Sequence, residues 1–243
     1  MITKVFNSIN YETKDNSLIV YQKPKNYYGD FISKVYYLED NEKSEIVYET
    51  EKIILDELFK NTKKGEKYID IYLKESNSSL LEFINEIDEL NLSKVWENSS
   101  KWFGNQIDLD IVDAYYKSSL RTCKKKYGLF LRLLINPENT EIENQFGNEI
   151  DLDDIPIDSK VKLNIKFEGI KFYNTLFTPI YKIVNIKYYQ KSKVKDSQEF
   201  SGSLNNFSFN TDYQTDLEVN DNFLEDEIEN EKVVSELIKN NLN

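Results

Sequence analysis

At 243 residues with a formal charge of −12 and a single cysteine, Cys123, the chain is long enough to bury one good core but has no internal disulfide and no cysteine cluster for zinc. It contains no histidine, which removes the usual general base, the commonest metal ligand and every Ser-His or Cys-His nucleophile pair. No apolar run reaches the roughly 18 residues that span a bilayer, Met1 opens no basic-then-apolar leader, and the scattered glycines form no phosphate loop. The expectation is a soluble protein of a reducing compartment, without cofactor, metal or membrane contact. Carboxylate-only chemistry would have to use Asp108 and Asp110 or Asp151, Asp153 and Asp154, which lie where helix starts and solvated loops place acids anyway.

Charge is split along the chain. Residues 196–231 hold eleven acids and no Lys or Arg, whereas Lys160 to Lys195 hold nine lysines against Glu168 alone. Without those eleven acids the formal charge would be −1, so the global acidity describes a tail rather than the folded part. Lys, Asn, Ile and Tyr abound as AT-rich coding would produce, and Arg121 and Arg132 are the only arginines; the placement of lysines therefore carries more meaning than their number. A basic face with a tethered acidic tail suits a polyanion ligand and an internal competitor for it.

In chain order, strands are expected at Ser17 to Lys23, Phe31 to Leu38, Ser44 to Thr50 and Lys67 to Lys74, with a hairpin connection at Asp40 to Lys43. Ile54, Leu55, Leu58 and Phe59 have the spacing of a short amphipathic helix over Glu51 to Lys60. Leu80, Phe83, Ile84, Ile87 and Leu90 predict a longer helix opened by Ser78 or Ser79, and Asp108 caps a second through Tyr115 and Tyr116 towards Leu120. Between them lies Asn98-Ser99-Ser100-Lys101-Trp102-Phe103-Gly104, whose aromatic pair reads as core anchoring more readily than as a base-stacking platform. A basic stretch then leads into a strand over Leu129 to Ile135, and an acidic loop with a turn at Gly147-Asn148 follows as far as Ser159.

The final block has the plainest pattern. Val161, Leu163, Ile165 and Phe167 alternate with Lys160, Lys162, Asn164 and Lys166, and Gly169 marks a bulge or bend before the strand continues to Tyr173. Ile180 to Gln190 forms the partner strand. From 191 to 243 the composition is that of a flexible acidic tail, with Phe223, Leu224, Ile228, Val234, Leu237 and Ile238 able to line one face of a short partner-binding helix.

The order strands, helix, Asn98 to Gly104, helix ending in Tyr115-Tyr116, basic strand, then Val161 to Tyr189 resembles the single-stranded-DNA-binding proteins of large nucleocytoplasmic DNA viruses, such as that of African swine fever virus. The segments Val161 to Phe172 and Tyr181 to Ile186 are also similar to the closing strands of phage single-stranded-DNA-binding proteins with acidic tails. The resemblance implies an α+β fold: an antiparallel OB-like β-barrel over residues 1–190 with helices near 79–120, followed by the tail. It implies sequence-independent binding of single-stranded DNA in viral replication, recombination or repair, in a viral factory of the host cytoplasm or in the virion. Backbone contacts are expected from Arg121, Lys124, Lys125, Lys126, Arg132, Lys162, Lys166, Lys171, Lys182 and Lys187, and stacking from Phe130, Phe172, Tyr173 and Tyr189. RNA as a second ligand, replication or recombination proteins held by the tail, and homo-oligomers are left open. The competing reading is a virion or replication-compartment assembly protein that recruits a partner through its tail.

Overall fold

The computed structural model describes residues 2–7, 10, 15–61, 67–74, 78–123 and 128–190. The first strands are β1 (Ile2–Asn7), β2 (Ile19–Tyr21), β3 (Lys25–Tyr27), β4 (Asp30–Glu39), β5 (Glu42–Glu49), β6 (Ile53–Ile54), β7 (Lys60–Asn61) and β8 (Lys67–Tyr72). Helices α1 (Ser78–Phe103) and α2 (Leu109–Tyr115) follow, then β9 (Leu120–Cys123), β10 (Gly128–Ile135), β11 (Glu141–Asn144), β12 (Lys160–Phe172) and β13 (Phe177–Tyr189). Among the described residues, the thirteen strands belong to one sheet, whose main path is β1-β5-β4-β12-β13-β10-β8-β7.

This is mostly sheet with two helices, and it differs from an antiparallel barrel in two ways. Parallel pairs are present, with β1 beside β5 and both β10 and β11 beside β13. Among the described residues the path ends at β1 and β7, which do not pair with each other, so the sheet is open there. Its centre is β12, which along one edge meets β6, β5 and β4 in turn while the other edge holds β13 over nearly its whole length.

Several local expectations are corrected by tertiary pairing. Residues 51–60 form no helix: Ile53 pairs with Val161, Leu55 exchanges backbone hydrogen bonds with Ser159 and Asp158, and Ile53 and Leu55 are buried while Ile54 faces out. Burying every second residue against β12 outweighs the weak helical spacing. Strands β1 and β11 were not legible, because each is short and gains its order from a parallel neighbour. The hairpin connection expected over Asp40 to Lys43 is tighter than that: Asp40 and Asn41 both take positive φ, 51° and 66°, and alone make the turn, while Glu42 and Lys43 already pair in β5.

Helix α1 runs through the segment expected to separate two helices. Asn98 and Ser99 stay helical by donating their side chains back to the carbonyls of Lys94 and Trp96, and Gly104 at φ 83° ends the helix, its N–H reaching Ser100 O. Leu80, Phe83, Ile84 and Ile87 pack on the main sheet core, while Val95 and Trp102 join Val112, Ile170, Phe172 and Phe177 in a second cluster. Trp102 therefore anchors core, as its sequence context suggested. Helix α2 stops at Tyr115, seven residues long, and Leu120 belongs to β9 instead.

Between the two clusters lies a buried polar chain. Tyr21 donates to Asn91 Oδ1 (2.7 Å), Asn91 Nδ2 donates to the Tyr116 hydroxyl (3.0 Å), and Tyr116 donates to Asp88 Oδ1 (2.6 Å), with Ser118 donating to the second carboxylate oxygen. Burial raises the Asp88 pKa, against the pull of the Ser118 and Tyr116 hydrogen bonds. An acid with a raised folded pKa holds its proton more tightly when folded, so its contribution to stability is present at low pH and is lost as pH rises from its ordinary value of 3.8 through the raised one. Asp88→Asn is therefore expected to leave stability at pH 7 unchanged or increased and to flatten its pH dependence above about 4. Asp88→Ala, which strands two buried hydroxyls, should cost about 1–3 kcal/mol by urea unfolding.

Candidate nucleic-acid interface

Gly169 decides which side chains of the closing hairpin face solvent. Before it, Val161, Leu163, Ile165 and Phe167 point into the core; after it, Ile170 and Phe172 do. The inversion arises at a bulge, where the register against β13 slips between Phe167 and Gly169. Gly169 sits at φ 144°, and a Cβ there would lie 2.1 Å from Ser33 O on β4. The sequence pattern located this bulge but not its consequence for Phe172. That ring, expected to stack on bases, is buried edge-on against Trp102 (6.2 Å) and Phe103 (5.6 Å), with Phe177 stacked at 5.4 Å.

The same inversion turns Lys171 and Tyr173 outward. In antiparallel pairing directly opposite residues share a face, so Lys25, Ile32 and Lys171 lie side by side, with Lys34 and Tyr27 one pleat away. Lys171 Nζ sits 4.9 Å from the Tyr173 ring centre and pairs with Asp30 at 2.7 Å; Lys34 Nζ lies 4.5 Å from the Tyr27 ring. Partial burial works against the charge of Lys171, but Asp30 and the Tyr173 hydroxyl outweigh it and raise the pKa, so the ammonium stays charged. Tyr28, at the tip of the β3–β4 hairpin with φ 54°, is fully exposed.

A second group continues this surface. Arg121, Phe130 and Tyr72 stand opposite one another across β9, β10 and β8, and the Phe130 and Tyr72 rings are 5.8 Å apart. Just before β9 the chain bridges the start of β13 at Tyr116 and Phe177, and the Lys117 N–H bonds Phe177 O at 2.9 Å, so β9 follows directly from the β12–β13 turn that carries Tyr173, which joins the two groups. Although Arg121 is exposed, crowding desolvates its guanidinium and lowers the pKa, Arg132 adding to the effect against Asp70, Tyr173 and Tyr68. Among the described residues no carboxylate lies within ion-pair distance of Arg121, Lys25 or Lys34. Charged and flanked by rings, these side chains form a belt suited to phosphates and bases.

Other expected contacts lie outside that belt. Lys162 pairs with Glu49 (2.9 Å), Lys166 with Glu45 (2.6 Å), Lys182 with Glu168 (2.7 Å) and Lys187 with Glu143 (3.0 Å), a ladder of alternating charge across β5, β12, β13 and β11. The four lysines therefore face outward as the alternation required, yet acids on neighbouring strands already neutralise them. Arg132 grips Asp70 with Nε and Nη2 (2.8 and 2.9 Å) and covers the Tyr68 ring at 4.2 Å, so it holds β10 to β8. Tyr189 is at the far end of β13 with Lys52 Nζ 3.9 Å over its ring. Lys124, Lys125 and Lys126, and the tail residues Phe223, Leu224, Ile228, Val234, Leu237 and Ile238, fall outside the described residues.

Thus Arg121, Phe130, Lys171 and Tyr173 come together from the expected set, while Lys25, Tyr27, Tyr28 and Lys34 join them unannounced. The signal for Lys25, Tyr27 and Tyr28 was present in Lys23 to Gly29, where lysines and tyrosines precede a glycine turn, but strand-edge tyrosines read more readily as half-buried.

Beside the belt, the C-terminal end of α1, α2 and the β12–β13 turn enclose a pocket of about 350 Å³. Its walls include Phe103, Ile107, Val112, Phe172 and Phe177, and Tyr115 and Tyr173 stand among its lining residues. Among the described residues no cluster of His, Cys, Asp and Glu could hold a metal ion.

No curated protein matches the chain in sequence. Among solved structures it is similar to gp2.5, a single-stranded DNA binding protein encoded by bacteriophage T7, with a TM-score of 0.43 and 9% identity over 67% of this chain and 100% of that one. It is also similar to the single-stranded DNA-binding protein of bacteriophage Enc34 in complex with ssDNA, with a TM-score of 0.37 and 8% identity over 71% of this chain and 97% of that one. Both TM-scores lie below 0.5, so neither likeness by itself carries an inference about fold or ligand. The sequence profile of a family of unknown function, DUF5871, matches residues 62–201, more than half of the 243 residues, and the chain belongs to that family.

Proposed function

We propose that this protein binds single-stranded DNA without sequence preference and without catalysis. The observation that carries the reading is the belt itself: Arg121, Lys25, Lys34 and Lys171, countered locally by Asp30, interleaved with Tyr27, Tyr28, Phe130 and Tyr173 on one outer surface. Cations that track a backbone beside rings that accept any base are what sequence-tolerant single-strand binding requires. In this reading the curled part of the sheet acts as an OB-like wall, and the tail is an acidic competitor that also recruits replication or recombination proteins. Replication, recombination or repair of a large DNA virus, in the host cytoplasm or the virion, is the setting that the sequence resemblance supports.

The three belt cations without an ion-pair partner among the described residues, Lys25, Lys34 and Arg121, imply a slope of about −2 in log affinity against log salt for a single strand, or roughly a 20-fold loss between 50 and 200 mM. Fluorescence anisotropy with a labelled oligodeoxynucleotide should show this loss, and removal of residues 196–243 should tighten binding at low salt most. Salt-independent binding, or no binding by either form, would refute the reading; a stable protein assembly without oligonucleotide affinity would favour a virion or compartment assembly role instead.

A further inference from the structure

The pocket between α1, α2 and the β12–β13 turn is not needed for the stacking on exposed rings described above, and it adjoins the belt. Tyr173 belongs to both: it lines the pocket while its ring lies 4.9 Å from Lys171 Nζ. We propose that this pocket receives one unstacked nucleobase of the bound strand, an inference that rests on the single-strand-binding reading. Its volume of about 350 Å³ is within the range of small-ligand sites, and its walls are apolar and aromatic on both the helix and the sheet sides. Asn105, Gln106 and Asp108 line it as well and supply the amide donors, amide acceptors and carboxylate that a base edge meets. Gln106 is held in place by a hydrogen bond from Nε2 to Trp96 O at 3.1 Å.

Charge fixes the direction of entry. Asp108, with Asp110 and Asp113 following on α2, makes that side unfavourable for a phosphate. Lys171 and Arg121 stand on the Tyr173 side. The phosphodiester therefore passes outside Tyr173 on those two cations while its base turns inward beneath the ring. An acidic peptide, by contrast, would have to lay its own carboxylates along the α2 acids.

Ile111 lines the pocket and is 47% exposed, so Ile111→Trp fills the pocket without disturbing the core, and Leu176→Trp fills it from the sheet side. The full-length chain and both variants would be titrated with a 20-nucleotide DNA and with the same DNA made abasic throughout. Each variant is expected to weaken binding of the intact strand about tenfold and to leave the abasic strand unaffected. A 2-aminopurine in the intact strand should change emission with the unmodified chain and much less with the variants. Tight binding of the intact strand by both variants would overturn the proposal and assign the pocket to another occupant, such as an apolar peptide. Equal losses for intact and abasic strands would also overturn it. Failure of the unmodified chain to bind either strand would instead remove the single-strand reading itself.

Discussion

Tyr173→Ala is expected to weaken single-stranded DNA binding by roughly 5- to 150-fold, the equivalent of the about 1–3 kcal/mol that one base–aromatic stack contributes. Tyr173 is the ring that links the belt to the pocket, in contact with Lys171 and among the residues that line the cavity. Tyr173→Phe keeps the ring and should retain most of the affinity. Arg121→Ala removes a cation with no ion-pair partner among the described residues and should reduce the salt slope by about 0.7, whereas Lys166→Ala, already satisfied by Glu45, should leave it nearly unchanged. Anisotropy titrations at several salt concentrations separate these outcomes. Equal effects of Arg121→Ala and Lys166→Ala would mean that the strand follows the charged ladder of β12 and β13 rather than the belt.

Gly169→Ala is expected to be the most destabilising single-methyl change in the hairpin. The added Cβ would stand 2.1 Å from Ser33 O and 3.1 Å from Lys34 Cα, both backbone atoms of a paired strand, and the φ of 144° suits no L side chain. Strain at such a backbone position alone costs of order 1–3 kcal/mol, and separating β12 from β4 adds to it. Loss of at least about 3 kcal/mol in urea unfolding should follow, together with weaker DNA binding, because β4 carries Lys34, the end of β12 carries Lys171, and Tyr173 follows it directly. Gly29→Ala is the control: its φ of 95° is also unfavourable, but nothing lies within 4 Å of the added methyl, so strain acts there without a clash.

The strands that were legible, β2, β4, β5, β8, β10, β12 and β13, combine β-rich composition with alternation or a bounding turn, as Val161 to Phe167 do most plainly. The α1 stripe at Leu80, Phe83, Ile84 and Ile87 was equally direct, but its length was not, since Asn98 to Ser100 look like a break and become helix only by bonding back onto their own turn. The stretch over residues 51–60 misled because four apolar residues fit a helical face as well as an edge pairing, and only the partner strand β12 chooses between them. For the interface, sequence correctly placed Lys162, Lys166, Lys182 and Lys187 on a solvent face yet could not show that Glu49, Glu45, Glu168 and Glu143 come to stand beside them.

Segments apolar on one face, the bend at Gly169 and the division of charge between a basic hairpin and an acidic tract can all be read directly from the order of residues. Those properties are local, because side-chain period, glycine freedom and net charge act over a few residues. Tertiary structure alone decided that the lysines of β12 and β13 are neutralised across strands, that Phe172 turns inward past the bulge, and that Arg121, Lys171 and Tyr173 meet the lysines and tyrosines of the β3–β4 hairpin. Which charges are cancelled and which remain for a ligand depends on contacts between residues as far apart as Lys25 and Lys171, and only strand pairing specifies those.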